Sequence, residues 1–254
     1  FSNLSYLLFE QGEYEDALMI ADACILDKPR KALPFILLYS MGRVSEIYER
    51  LETQSKVDAE NMSIAAFAAF ISEVEKKPTV YNFCLNPMGF IHIAKISSHV
   101  SDSVTFIEGI IEELNDIKTI WEPSGKTTIN GFQSLSGLNI FGNPIGKIAE
   151  LKSFIINEIE TYYLRFQNEP CLYIQKFPAT RSLHGWTVTL KKQGHQNAHI
   201  HPSGWLSGVI YLKVVPSQGR DEGAIEFGLN SKEYQDLNSP RLTFQPDIGD
   251  MILF

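Results

Sequence analysis

Cysteine is scarce in this chain. Cys24, Cys84 and Cys171 are the only three in 254 residues, too few and too scattered for a disulfide framework, so a reducing, cytoplasmic setting is expected. Long apolar runs are lacking too. The stretches at 32–39 and 63–71 fall far short of the ~20 residues that cross a bilayer, and no basic-apolar-small signal segment opens the sequence. Basic residues are outnumbered 22 to 30, for a formal net charge of −8; a chain of that sign is a poor electrostatic partner for nucleic acid or an anionic membrane. What is abundant is apolar material: 44% of residues are hydrophobic and 11% aromatic, enough for one large core or two modest ones. The sequence starts at Phe1 rather than Met and reaches Phe254 inside a strand-like run, which suggests a piece of a longer protein.

Residues 1–80 read as helical. Apolar positions recur at helical spacing in 16–27 (Ala17, Ile20, Ala21, Cys24), in 43–51 (Val44, Ile47, Tyr48, Leu51) and in 58–76 (Ile64, Phe67, Ile71, Val74), with Pro29 as the expected stop for the first. The opening segment resembles a tetratricopeptide repeat: Leu4, Ser5 and Leu8 fit its first helix, Gly12 and Tyr14 its turn, and Ala17, Ala21, Cys24 and Pro29 its second helix and end. Ser5 and Ala21 depart from the usual residues, and the next glycine at a turn position, Gly42, comes 30 residues after Gly12 instead of 34. A repeat region of this kind implies a protein or peptide partner; a plain helical hairpin without a binding role is the alternative.

Residues 81–254 form the second expected domain. Amphipathic helices are expected at 103–117 and 145–166, separated by a turn-rich stretch at 121–131. Its Gly125-Lys126-Thr127 triplet is not a phosphate loop, because Ile120 stands where the first glycine is needed. From Cys171 onward the pattern alternates as in strands, at 186–190, 206–215, 222–229, 242–245 and 250–254, with turn formers between. The fold class is therefore α+β, helices followed by a β-sandwich or barrel.

Three of the six histidines, His195, His199 and His201, fall within seven residues. On a strand, residues two apart share a face, so His199 and His201 would project together and Ile200 away from them. Two adjacent imidazoles suit iron, zinc, copper or nickel better than magnesium or calcium. The competing reading is exposed polar residues on an edge strand.

The segment from His199 to Leu212 (HIHPSGWLSGVIYL) resembles the metal-binding core of a family of 2-oxoglutarate and iron(II)-dependent oxygenases with a double-stranded β-helix fold, some of them fused to tetratricopeptide repeats. The loop at 121–134, the strands at 186–190 and 223–227 and the 244–254 segment resemble other parts of that domain in the same order. The resemblance implies Fe(II) and 2-oxoglutarate as cofactors and an oxidative reaction, a hydroxylation coupled to decarboxylation of 2-oxoglutarate. It places His199 and His201 as the first two metal ligands and Tyr211 as a cosubstrate contact, against a core tyrosine as the alternative. His195 is a candidate to orient a ligand, Trp205 and Leu206 are expected to pack beneath the site, and Gly208 to permit a close strand approach. No catalytic side chain is assigned. Many such enzymes carry Asp or Glu where His201 stands, so the metal centre here would hold one more positive charge. The family's distal histidine and its basic 2-oxoglutarate partner would follow Phe254. Two other readings stand beside this one. The first is a three-histidine cupin without 2-oxoglutarate, which lacks its usual Glu here. The second is a helical-repeat scaffold whose oxygenase domain has decayed.

Overall fold

The computed structural model describes residues 2–24, 26, 30–217 and 219–254. α1 (Ser2–Gln11) and α2 (Tyr14–Ala23) make one helical hairpin, α3 (Leu33–Ser40) and α4 (Val44–Val57) a second, and α5 (Met62–Val74) follows. The two turns are built alike. Gly12 N–H donates to Phe9 O and Glu13 N–H to Leu8 O; Gly42 and Arg43 donate in the same way to Tyr39 and Leu38. Both glycines sit at positive φ, +81° and +70°, the left-handed helix stop that a Cβ would strain. Within the first hairpin the buried Ser5 hydroxyl donates to Ala17 O at 2.7 Å, so this departure from the repeat pattern is itself a close helix contact. α2 ends at Ala23, earlier than the spacing implied, and Pro29 lies outside the described residues.

α5 is started by Asn61, whose side chain accepts the Ser63 and Ile64 amides at 3.2 Å each, a standard N-cap. α6 (Ser103–Asn115) is capped by Asp102. α7 (Gly146–Phe166) takes its first-turn amides, Lys147 and Ile148, onto the Glu113 carboxylate at 2.6 and 3.0 Å; a carboxylate at the positive end of a helix is the favourable arrangement. The short α8 (Leu172–Gln175) follows.

Among the described residues the strands form three small antiparallel sheets. β1 (His92–Lys95), β8 (Asp250–Leu253) and β5 (Gly208–Ile210) make one, with β8 central; β2 (Thr119–Trp121), β3 (Thr128–Ser134) and β4 (Val188–Gln196) make another; β6 (Ile225–Gly228) and β7 (Arg241–Phe244) pair alone. The molecule is thus mixed helix and sheet. Among the described residues these sheets do not join into the closed double-stranded β-helix the resemblance implied. The expected strand at 206–215 shrinks to three residues, 208–210 against Leu253 to Met251, with backbone hydrogen bonds between Ser207 and Phe254 and from Tyr211 to Asp250 at its two ends. The Gly125 triplet lies in the turn between β2 and β3 and leads into a strand, as its rejection as a phosphate loop requires.

One hydrophobic cluster runs through both halves of the chain. Tyr234 packs its ring on Phe67 and Phe70 of α5, centroids 5.2 and 4.6 Å apart, so packing crosses residue 80. Tyr162 and Tyr173 share a buried hydroxyl–hydroxyl hydrogen bond of 2.9 Å. Burial, first of all causes, raises the phenol pKa of Tyr81, Tyr162, Tyr173 and Tyr234 above the usual value near 10. Above that pH the unfolded chain sheds phenolic protons that the folded chain keeps, so stability falls as pH rises, by about 1.4 kcal/mol per pH unit for each such tyrosine. The urea midpoint is expected to hold at neutral pH and drop steeply beyond about pH 10, with tyrosinate absorbance appearing as the chain unfolds. A midpoint still flat a full unit higher would contradict this burial.

No helix is long and apolar enough to cross a membrane among the described residues, and the three cysteines are free thiols.

Candidate metal centre

β4 ends at Gln196, and its register with β3 is closed by the Asn197 amide, which donates to Thr127 O at 3.0 Å. His199 and His201 therefore sit beyond the strand, in irregular chain before the 202–207 turn and β5. Strand alternation does not aim them, contrary to the sequence reading. A local hydrogen bond does. His199 Nδ1 lies 2.7 Å from Asn197 O; a carbonyl only accepts, so Nδ1 carries the hydrogen and the Nε2 lone pair faces outward. That Nε2 is 3.2 Å from Nε2 of His201, with the rings nearly perpendicular at 83°. Ile200 between them is 40% exposed.

His201 is the more enclosed of the two, lying 5.4 Å from the Trp186 ring. Burial, followed by the neighbouring His199, pulls its pKa below the usual imidazole range, which holds it neutral near pH 7 and able to donate a lone pair. The pair can be tested against a metal by geometry. Two nitrogens each about 2.1 Å from one ion, at 90–109° to each other, lie roughly 3.0–3.4 Å apart, and the observed separation falls in that interval. The donor chemistry and spacing fit two ligands of a transition-metal site. No cluster of three or more His, Cys, Asp or Glu positioned for a metal occurs among the described residues. Among the described residues His195 makes no contact with the pair; its Nδ1 partner is Gln193 O at 3.4 Å.

Tyr211 follows β5 and is fixed by backbone pairing, its N–H donating to Asp250 O at 2.9 Å and its carbonyl accepting from Gly249 at 2.7 Å. Its hydroxyl makes no hydrogen bond to either imidazole among the described residues. Burial, with the Asp250 carboxylate second, pushes its pKa up to about 12, leaving a protonated phenol that can donate. Asp250 is buried at 2% exposure, accepts the Asp247 amide at 2.8 Å and pairs with Lys95 at 3.1 Å. Trp205 packs as expected: its Nε1 donates to Tyr173 O at 3.1 Å and its indole stacks on Tyr173. At Gly208 a Cβ would meet Leu253 Cδ2 at 2.8 Å and Ile252 O at 3.1 Å, so glycine eases the close approach of β5 to β8.

Gly249 turns the chain into β8 at φ +87°, and a Cβ there would lie 3.3 Å from Ile107 Cδ1. Gly249→Ala is expected to cost about 1–2 kcal/mol, read as a lower urea midpoint; an unchanged midpoint would show that the turn relaxes freely.

A second histidine cluster escaped the sequence reading. The buried Glu158 of α7 bridges His92 Nε2 of β1 at 2.8 Å and His99 Nε2 at 2.6 Å. The two rings approach different oxygens of the one carboxylate and pack on Tyr162 and Phe154. No short motif announces this bridge, because its partners lie 66 and 59 residues apart.

Residues 184–254 match a family model described as "Putative 2OG-Fe(II) oxygenase". The match covers less than a third of the chain, takes in His199, His201 and Tyr211, and supports the oxygenase class in general terms. Fe(II) and 2-oxoglutarate are the cofactors that this family implies. The match does not extend to the helical hairpins. No curated protein and no solved structure matches the chain.

Proposed function

We propose that the chain carries an iron(II)- and 2-oxoglutarate-dependent oxygenase domain acting as a hydroxylase. His199 and His201 hold the metal, and Tyr211 serves the cosubstrate as a hydrogen-bond donor. The observation that supports it most is the 3.2 Å approach of two imidazole nitrogens within the segment that matches the oxygenase family. When bound, the iron supplies the redox chemistry that couples 2-oxoglutarate decarboxylation to oxidation of a substrate C–H bond. The chain's own part is orientation. The Asn197 carbonyl fixes the His199 tautomer, as outer partners of metal-bound histidines do. Trp186 shields one side of His201, and the low pKa of His201 keeps a proton from competing with the metal. The ligands beyond these two come from outside the described residues or from the cosubstrate. The helical hairpins at 1–80 recruit a protein or peptide partner on this reading.

The test is oxygen-dependent conversion of 2-oxoglutarate to succinate by the full-length protein supplied with Fe(II). Turnover that needs iron and vanishes in His199→Ala and His201→Ala is the expected result; full succinate production by either variant would overturn the ligand assignment. Because α5 shares its core with Tyr234, the recruiting role is tested by changing exposed hairpin residues, Leu7→Glu with Met19→Glu; capture of whatever partner binds is expected to fall, and unchanged capture would count against the role.

A further inference from the structure

The chain holds 30 acidic residues, yet none falls between Pro170 and Arg220, where an even spread would put about six. That stretch carries Lys176, Arg181, Lys191, Lys192, Lys213 and Arg220 together with four of the six histidines. It is a basic island in an acidic protein. Arg181 is spent on Glu160, and Lys176 lies 3.9 Å from Glu60. Lys191 and Lys192, both exposed on β4, make no ion pair among the described residues; Lys191 rests 5.7 Å from the Phe132 ring centroid. Glu122, the acidic residue that follows β2, already accepts the Asn130 amide at 2.6 Å.

β4 is also an open edge. Among the described residues it pairs with β3 alone. Gly131 gives its carbonyl to Glu122 on the β2 side, so Leu190 opposite it turns its own N–H and C=O away from β3. Trp186, Leu190 and Ile200 are exposed along the same run at 39–45%. Beyond Leu190 the strand bulges, four residues facing one of β3 before His195 meets Ile129, and the chain then reaches the histidine pair.

We propose that this edge docks an extended polypeptide segment rich in Asp and Glu. The backbone of that segment pairs beside 188–190, its carboxylates meet Lys191 and Lys192, and a neighbouring side chain is carried to His199 and His201. This names the substrate class for the oxygenase reading and rests on that reading for what is done to the bound segment. Backbone groups left open on a strand edge are matched by another backbone. A bulge and lysines on an edge repel neutral or basic strands, and an acidic strand converts the same lysines from barrier to attraction. A second copy pairing here would set lysines against lysines.

The test needs no metal. Short labelled peptides of equal length, one alternating Glu and Val and the other Lys and Val, are titrated into the metal-free protein and followed by anisotropy. The Glu–Val peptide is expected to bind and the Lys–Val peptide not. Lys191→Glu with Lys192→Glu should weaken binding at least tenfold, the paired glutamine changes should fall between, and a tenfold rise in salt should weaken it severalfold. Equal binding of both peptides, indifference to the lysine changes, or equally tight binding of a thymidine oligonucleotide would overturn the proposal. So would slow hydrogen exchange at the Val188 and Leu190 amides before any peptide is added, which would show the edge closed by the protein's own chain or by a second copy. Because iron is absent throughout, these failures leave the metal reading standing. Conversely, peptide binding with no iron-dependent turnover by the full-length protein would sink the oxygenase reading alone.

Discussion

His199→Ala and His201→Ala are each expected to weaken Co(II) binding, measured anaerobically with cobalt in place of iron, by about a hundredfold or more, since each removes one of the two imidazoles that converge among the described residues. Neither change should disturb the fold. His199 is exposed and His201 half-exposed, and neither belongs to the hydrophobic cluster, so melting temperatures should stay within about 1–2 °C of the parent. Asn197 offers a graded control, because its carbonyl belongs to the backbone and survives substitution of the side chain. Asn197→Ala should therefore leave cobalt affinity within a few-fold of the parent. Parent-like affinity in either histidine variant would place the metal elsewhere.

Glu158→Ala is expected to be the most damaging single change to stability. The carboxylate is 8% exposed and is the shared partner of His92 and His99. Among the described residues His92 Nδ1 is already buried without a partner, so deleting the carboxylate strands further ring nitrogens in the interior. Removing one member of a buried charged network costs about 3–5 kcal/mol, or a fall in melting temperature on the order of 10 °C for a chain of this size. Glu158→Gln keeps an acceptor oxygen and should cost less. The exposed Lys56–Glu52 pair gives the contrast, with its side chains 69% and 60% accessible; Glu52→Ala should move stability by no more than about 0.5 kcal/mol. A Glu158→Ala protein melting within 2 °C of the parent would show that the bridge contributes little.

The helices were legible because their signals are local. Apolar spacing located α5 through α7 to within a few residues, whereas α4 runs six residues past the expected 43–51, and Gly12 and Gly42 marked two stops that share one hydrogen-bond pattern. The strands were legible as segments but not as a sheet, since the length of β5 is set by β8, some forty residues away in the chain. The histidine pair stood out because its members are two residues apart, and its convergence held even though the strand alternation invoked for it did not. Tyr211 is a different case: its placement depends on Asp250 and Gly249, and no parity argument carried across the turn at 202–207 could supply that. The Glu158 bridge was illegible for the same reason, being assembled from β1, α7 and the chain after β1.

Two histidine clusters in one chain give the sharpest test of where the metal goes. Substoichiometric Mn(II) added under nitrogen should broaden the imidazole proton resonances of His199 and His201 first and leave those of His92 and His99 sharp. Early broadening of His92 and His99, with His199 and His201 unaffected, would contradict the account at its centre.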